Sequence, residues 1–255
     1  MTGLDRRLAA AVRQFWQTRQ RQSDKQGKKT GRHDVGGRTE ATAGGHLDGI
    51  TDLTIELLIE AGFPKASIHK TRGQQALPGY FRPTKNWDVA VTWQNRLVMA
   101  LEFKSHIGSQ TPDRASGEKH GKNYNNRTEE ALGSASDLWT AYREGAFGLS
   151  PPPCLGYFML CEEAPASTRP VRVQEPHFKV FEDFRDASYA RRYELLCQRM
   201  IRQRLYDAAC LILSARTTGT RGAYREPLPE LSYRAFIATL IGRATVFQQL
   251  SSNPP

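Results

Sequence analysis

Cysteine and long apolar runs are both scarce in this chain of 255 residues. Four cysteines occur, Cys154, Cys161, Cys197 and Cys210, and no two have CxxC spacing. That argues against paired zinc knuckles and against a small disulfide scaffold. The thiols read as reduced, small apolar residues, the first pair on a strand and the second on a helix. No apolar run reaches the roughly 18 residues of a membrane span. The opening MTGLDRRLAA has no apolar signal core, so a cytoplasmic protein is expected. Acidic residues are in the minority, 26 Asp and Glu against 36 Lys and Arg, for a net charge of +10. Apolar residues, at 39 %, are too plentiful for a disordered chain.

The basic excess is uneven. Residues 1–44 carry ten basic and four acidic side chains, and residues 185–225 carry nine Arg and three acids. The stretch 128–184 is acidic on balance. Two basic blocks around a neutral-to-acidic middle suit a polyanionic partner, and Arg, at 26 against 10 Lys, suits phosphate forks and base edges. The plainer reading is a basic solvated surface.

The hydrophobic pattern predicts helices over 4–20 and 47–61, then a short strand near Ser67–Lys70. PGYFRPTKN (78–86) reads as a loop. Alternation over Trp87–Trp93 and Leu97–Lys104, around a turn at Gln94–Arg96, predicts a hairpin. The polar stretches 21–45 and 107–126 read as an arm and a loop. Helix is expected over 127–144, a buried strand over 154–161, and helices over 187–205, 207–216 and 231–250. The fold class is therefore α/β, a central mixed sheet flanked by helices. One domain, 1–255, is expected, with a basic N-terminal helix and arm (1–44) and a helical C-terminal part (185–255).

The hairpin carries the candidate chemistry. Residues two apart on a strand share a face, so Glu102 and Lys104 project together with Ala100 and Val98, while Leu97, Met99, Leu101 and Phe103 face the other way. The turn sets Asp88 opposite residue 102. Two carboxylates and an ammonium then meet at the hairpin's end, suited to a hard divalent cation such as Mg²⁺ and to phosphodiester hydrolysis. The plain alternative is a surface ion pair on an exposed strand. Asp48 and Glu56 read as a helix-start acid and a solvated acid rather than as further ligands.

Beside this hairpin, several ordered segments resemble one family. They are PGYFRPTKNWD (78–88), LEFKSHIG (101–108), NYNNRTEEALGSASDL (123–138) and YREGAFG (142–148), with GGHLDG (44–49), EPHF (175–178) and SYARRYELLC (188–197). Together they resemble the type II restriction endonucleases of the XhoI group. The resemblance implies a PD-(D/E)xK nuclease fold and Mg²⁺-dependent cleavage of double-stranded DNA in a bacterial cytoplasm. Asp88 and Glu102 take the places of the metal-binding carboxylates, and Lys104 takes that of the catalytic lysine; Asn86-Trp87 stands before Asp88 in place of the broader motif's Pro. It also implies the palindrome CTCGAG, 5′-phosphate products and a companion DNA methyltransferase. A palindrome in turn calls for a two-fold homodimer. One departure is a long basic insert at 109–122.

Candidate base readers are Asn125, Asn126, Arg127 and Glu129, and candidate phosphate contacts are Arg82, Lys85, Lys119, Lys122, Arg191 and Arg192. His106, Trp87 and Trp93 read as supporting or packing residues. The apolar stripe Leu231, Phe236, Leu240, Val246 and Leu250 reads as packing on the chain's own core. A structure-specific nuclease on the same fold and a non-catalytic DNA-binding protein stay open as other readings.

Overall fold

The computed structural model describes residues 3–30, 45–108 and 117–252, with side chains described over 3–24, 45–108 and 123–250. Helix α1 (Gly3–Thr30) lays Leu8, Val12, Phe15 and Trp16 along one buried stripe, and the Trp16 indole donates to Ser214 Oγ at 2.9 Å. The polar segment expected as an arm from residue 21 continues this helix to Thr30; its straight-chain Lys and Gln residues cost a helix little. The rest of that arm, 31–44, lies outside the described residues. Helix α2 (Asp48–Glu60) buries Ile50, Leu53 and Leu58. It stops at Gly62, whose φ of +99° only glycine adopts cheaply.

After α2 come β1 (Ile68–His69) and a separate small hairpin of β2 (Ala76–Pro78) and β3 (Thr84–Asn86). The segment 78–86, expected as a loop, is thus mostly the tip and second strand of that hairpin. The main sheet is built from β1, β4 (Val89–Trp93), β5 (Arg96–His106), β6 (Cys154–Glu162) and β7 (Ala208–Ser214) in the order β1-β4-β5-β6-β7. The pairs β1/β4 and β4/β5 are antiparallel, and β5/β6 and β6/β7 are parallel. Helices α1, α2 and α7 (Tyr233–Ser252) pack on one face. Helices α3 (Gly117–Arg143) and α5 (Tyr189–Arg202) pack on the other. The short helices α4 (Pro165–Thr168) and α6 (Arg216–Gly219) follow β6 and β7. This is the α/β mixed sheet flanked by helices that the sequence pattern implies.

Three local expectations need correction. The segment 207–216 is not a helix: its core AACLILS is strand β7, buried along its whole length, and only Arg216 at its end is helical. A strand covered on both faces reads as a continuous apolar run, which periodicity cannot separate from a buried helix. Cys210 is accordingly a strand residue, and the C-terminal part 185–255 is not helical throughout. Helix α3 begins at Gly117 rather than at 127, so Asn125 and Asn126 lie within it. A bulge also breaks the alternation of β5. Val91 pairs with Met99 but Thr92 with Leu97, leaving Val98 extra. Val98 therefore joins the core of Met99 and Leu101, and Leu97 joins that of Ala100, the reverse of strict alternation.

The four cysteines are all buried. Burial pushes the Cys197 thiol up to about 12 and raises the other three as well. In the closing stripe, Leu231, Phe236 and Leu240 pack into the chain's own core, while Val246 and Leu250 stand exposed. Among the described residues no helix is long and apolar enough to cross a membrane.

Candidate active site

The tight turn Gln94–Asn95, with φ of +50° and +60°, and the Val98 bulge together set the β4–β5 register at the site. Val89 faces Leu101 and Ala90 faces Ala100. One step further, Asp88 N–H donates to Leu101 O at 3.1 Å, and Phe103 N–H donates to Asp88 Oδ2 at 2.6 Å. Asp88 is thereby held beside Glu102.

Glu102 is 5 % exposed, and each of its carboxylate oxygens meets a lysine. Lys104 Nζ lies on Oε1, and Lys85 Nζ lies 2.6 Å from Oε2. Burial pushes the Glu102 carboxyl up, but the Lys104 and Lys85 charges outweigh it and hold the group below the usual carboxylate range. Asp88 moves the other way. Burial, and then the negative charge of Glu102, raise it above its ordinary value. Burial pushes Lys104 down, but Glu102 and Asp88 overcome that and keep it an ammonium.

Asp88, Lys104 and Ser105 line a cleft of about 470 Å³, whose other walls include His46, Asp48, Lys70 and Arg127. His46 Nε2 is 3.0 Å from Ser105 Oγ. Burial, helped by the Arg19 charge, lowers the His46 imidazole to about 4, so it is neutral at physiological pH. Lys70 Nζ sits 3.3 Å from Asp48 and 2.7 Å from Asp52. Asp48 thus belongs to the cleft wall, whereas Glu56 turns to Arg7 at 3.0 Å. Sequence reasoning passed over His46, Lys70 and Ser105. The one signal was that GGHLDG and LEFKSHIG stood out together, without anything to say that they meet.

The candidate DNA contacts divide. Arg127 reaches the cleft wall. Lys85 turns inward to Glu102, with its Nζ 4.4 Å above the Trp87 ring. Arg82 Nε donates to Asp137 Oδ2 at 2.6 Å. The same carboxylate accepts from the Tyr80 and Phe81 backbone at 2.8 Å, tying down the tip of the β2–β3 hairpin. Gly79 is required there, since a Cβ would come within 2.3 Å of Asp137 Oδ2. Asn125 and Asn126 are exposed on α3, and Glu129 lines a shallower hollow of about 330 Å³ with Phe81 and Arg82. On α5, Arg191 pairs with Glu194. Arg192 donates to the carbonyls of Ala187 and Val171, both at 3.1 Å. The side chains of Lys119 and Lys122 lie outside the described residues. His106 is buried, its Nδ1 3.0 Å from Tyr193 OH, and Trp87 is core.

Comparison with known proteins matches residues 25–226 to the family model "Restriction endonuclease XhoI". The chain belongs to the XhoI restriction endonuclease family. Type II restriction enzyme BstVI of Geobacillus stearothermophilus is 42 % identical over 219 residues, 84 % of this chain and 93 % of its own. Type II restriction enzyme AbrI of Azospirillum brasilense is 45 % identical over 175 residues, 69 % of this chain and 74 % of its own. Type II restriction enzyme XhoI of Xanthomonas vasicola is 41 % identical over 199 residues, 77 % of this chain and 75 % of its own. No solved structure matches. Membership of the XhoI family makes the chain a type II restriction endonuclease, a site-specific deoxyribonuclease acting on double-stranded DNA. That sets aside the non-catalytic and structure-specific readings. Enzymes of this type generally use a divalent metal. Among the described residues no three His, Cys, Asp or Glu side chains cluster for one. The Asp88–Glu102 pair is nevertheless a fitting seat. Burial first and then the negative charge of Glu102 raise Asp88, a cost that a cation between them would relieve.

Proposed function

We propose that the chain cuts duplex DNA at CTCGAG with Asp88, Glu102 and Lys104 as its catalytic set and Mg²⁺ as its cation. The observation that carries this reading is a nearly buried carboxylate, Glu102, held ionised beside a cleft-lining Asp88 and an ammonium. Two carboxylates would hold the cation and leave its other oxygen ligands to water and phosphate, which suits Mg²⁺. Bound there, the cation would supply charge neutralisation at the phosphate and acidify the attacking water. Lys104, kept as an ammonium, orients that water and offsets charge on the phosphate rather than acting as a base. The products are a 5′-phosphate and a 3′-hydroxyl.

Arg127, Asn125, Asn126 and Glu129 on α3 are proposed to meet bases or phosphates, and Lys119, Lys122 and Arg191 to meet phosphates only. The enzyme is proposed to act as a homodimer, one active centre per strand. It would be a single nuclease domain over 1–255 in the bacterial cytoplasm, with a methyltransferase protecting the host's sites.

A plasmid carrying one CTCGAG tests this. With Mg²⁺ it should be linearised at that site, and a chelator should stop the reaction. Asp88→Ala and Glu102→Ala should each lower cutting by at least about a thousandfold while duplex binding persists. Undiminished cutting by either variant removes that residue from the catalytic set, and fragments mapped to another hexamer reject the site.

A further inference from the structure

Glu102 has two lysine partners, and the catalytic reading uses only one. Lys104 is two residues away on the same strand face and lines the cleft with Asp88. Lys85 comes from a different element, strand β3 of the small hairpin, and neither it nor Glu102 lines the cleft. Its ammonium has a fixed seat. It donates to Glu102 Oε2 at 2.6 Å and to Asn86 O at 3.2 Å, and lies 4.4 Å over the Trp87 ring. Trp87 is itself buried, and its backbone N–H is bound to Gln75 O at 3.1 Å. The Lys85 side chain is 13 % exposed. A lysine so enclosed is poorly placed to meet a phosphate on an incoming duplex.

The chemistry requires a second partner. A carboxylate this deep is costly to keep ionised without a cation beside it. Lys104 cannot be its permanent counter-ion and also turn its charge to a phosphate. We propose that Lys85 is a positioning residue for the reaction: it anchors Glu102 by Oε2 and so holds Oε1 on the side of Lys104. Lys104 is then released for the substrate while Glu102 keeps its charge and its orientation. This rests on the reading of Glu102 as a metal ligand, and the controls separate the two.

The test measures Ca²⁺ binding to the DNA-free protein by calorimetry, for wild type, Lys85→Met, Lys85→Arg and Glu102→Gln. Duplex affinity is measured in chelator. Lys85→Met should weaken Ca²⁺ binding by about ten- to a hundredfold, the usual effect of losing a group that orients a metal ligand. The Mg²⁺ concentration for half-maximal cutting should rise in parallel. Duplex affinity should stay at the wild-type value, and Lys85→Arg should recover most of the loss. If Lys85→Met does not melt cooperatively, Lys85→Gln, which keeps an N–H donor without the charge, is read by the same criteria. Unchanged Ca²⁺ binding overturns the proposal, whether duplex affinity falls, as for a phosphate contact, or holds. If Glu102→Gln binds Ca²⁺ as wild type does, the metal-ligand reading itself has failed.

Discussion

His46 illustrates what a single buried side chain does to the pH range of the molecule. It is seated between Phe15, with ring centroids 5.4 Å apart, and Ser105 Oγ. Burial holds it near 4, against an ordinary value of 6.5. A histidine whose folded value is depressed binds its proton more readily when unfolded. Its contribution to stability is therefore intact above pH 6.5, falls as the pH drops from 6.5 to 4, and is lost by about pH 4. The full change is about 3 kcal/mol. His46→Gln should flatten the stability profile across that window, as urea melts at successive pH values would show. An unchanged slope would mean that other groups dominate acid lability. At this scale Asp88, Glu102 and Lys104 were legible because strand periodicity and a turn centred on residues 94–96 set Asp88 opposite residue 102, a register the chain reaches with a two-residue turn and the Val98 bulge. Lys85 was not. A lysine in PGYFRPTKN carries no sign of whether it turns outward to phosphate or inward to a carboxylate 17 residues away.

The β2–β3 hairpin is the element that makes that inward turn possible. Its tip is organised by Asp137 from α3, which collects the Tyr80, Phe81 and Arg82 donors while itself buried. Burial pushes the Asp137 carboxyl up, and the Phe81 N–H, Arg82 and the Tyr80 N–H together hold it below its ordinary 3.8. That support is present above pH 3.8 and is lost as the pH falls through the depressed folded value. Asp137→Ala leaves these donors without their acceptor and should destabilise the chain by about 2–4 kcal/mol. Hydrogen exchange should show the loosening concentrated at residues 79–86; protection unchanged there would mean that the hairpin stands without α3. The hairpin was not legible because Pro and Gly mark turns without saying what the turn is built on. Strand β7 was missed for the opposite reason: AACLILS has no polar residue before its last, Ser214, to reveal a period. The β5 bulge is likewise invisible, since Val98 suits either face.

On the whole-molecule scale, the count of 36 Lys and Arg overstates the free basic surface. Within the basic block 185–225, Arg185, Arg191, Arg199, Arg202, Arg216 and Arg225 each lie within ion-pair distance of an acid of the same chain. Arg192 is spent on backbone carbonyls and lies over the Tyr189 ring. Duplex affinity should still fall linearly with salt on logarithmic axes. Arg192→Ala should leave that slope unchanged and act on stability alone, whereas a phosphate contact would reduce the slope by about 1. Anisotropy titrations at several salt concentrations decide between them. The mixed sheet and its flanking helices were legible from the order of patterns. Much of the internal neutralisation of the Arg block was not, because the partners of Arg199, Arg202, Arg216 and Arg225 are distant in sequence.

The buried cysteines have a practical consequence. Every thiol in the chain is enclosed and held far from its reactive thiolate form. The folded enzyme therefore offers no reactive sulfur of its own to an alkylating reagent. A cysteine engineered at any surface position becomes the sole addressable atom of its kind, and a dye or cross-linker attached there reports on that position alone.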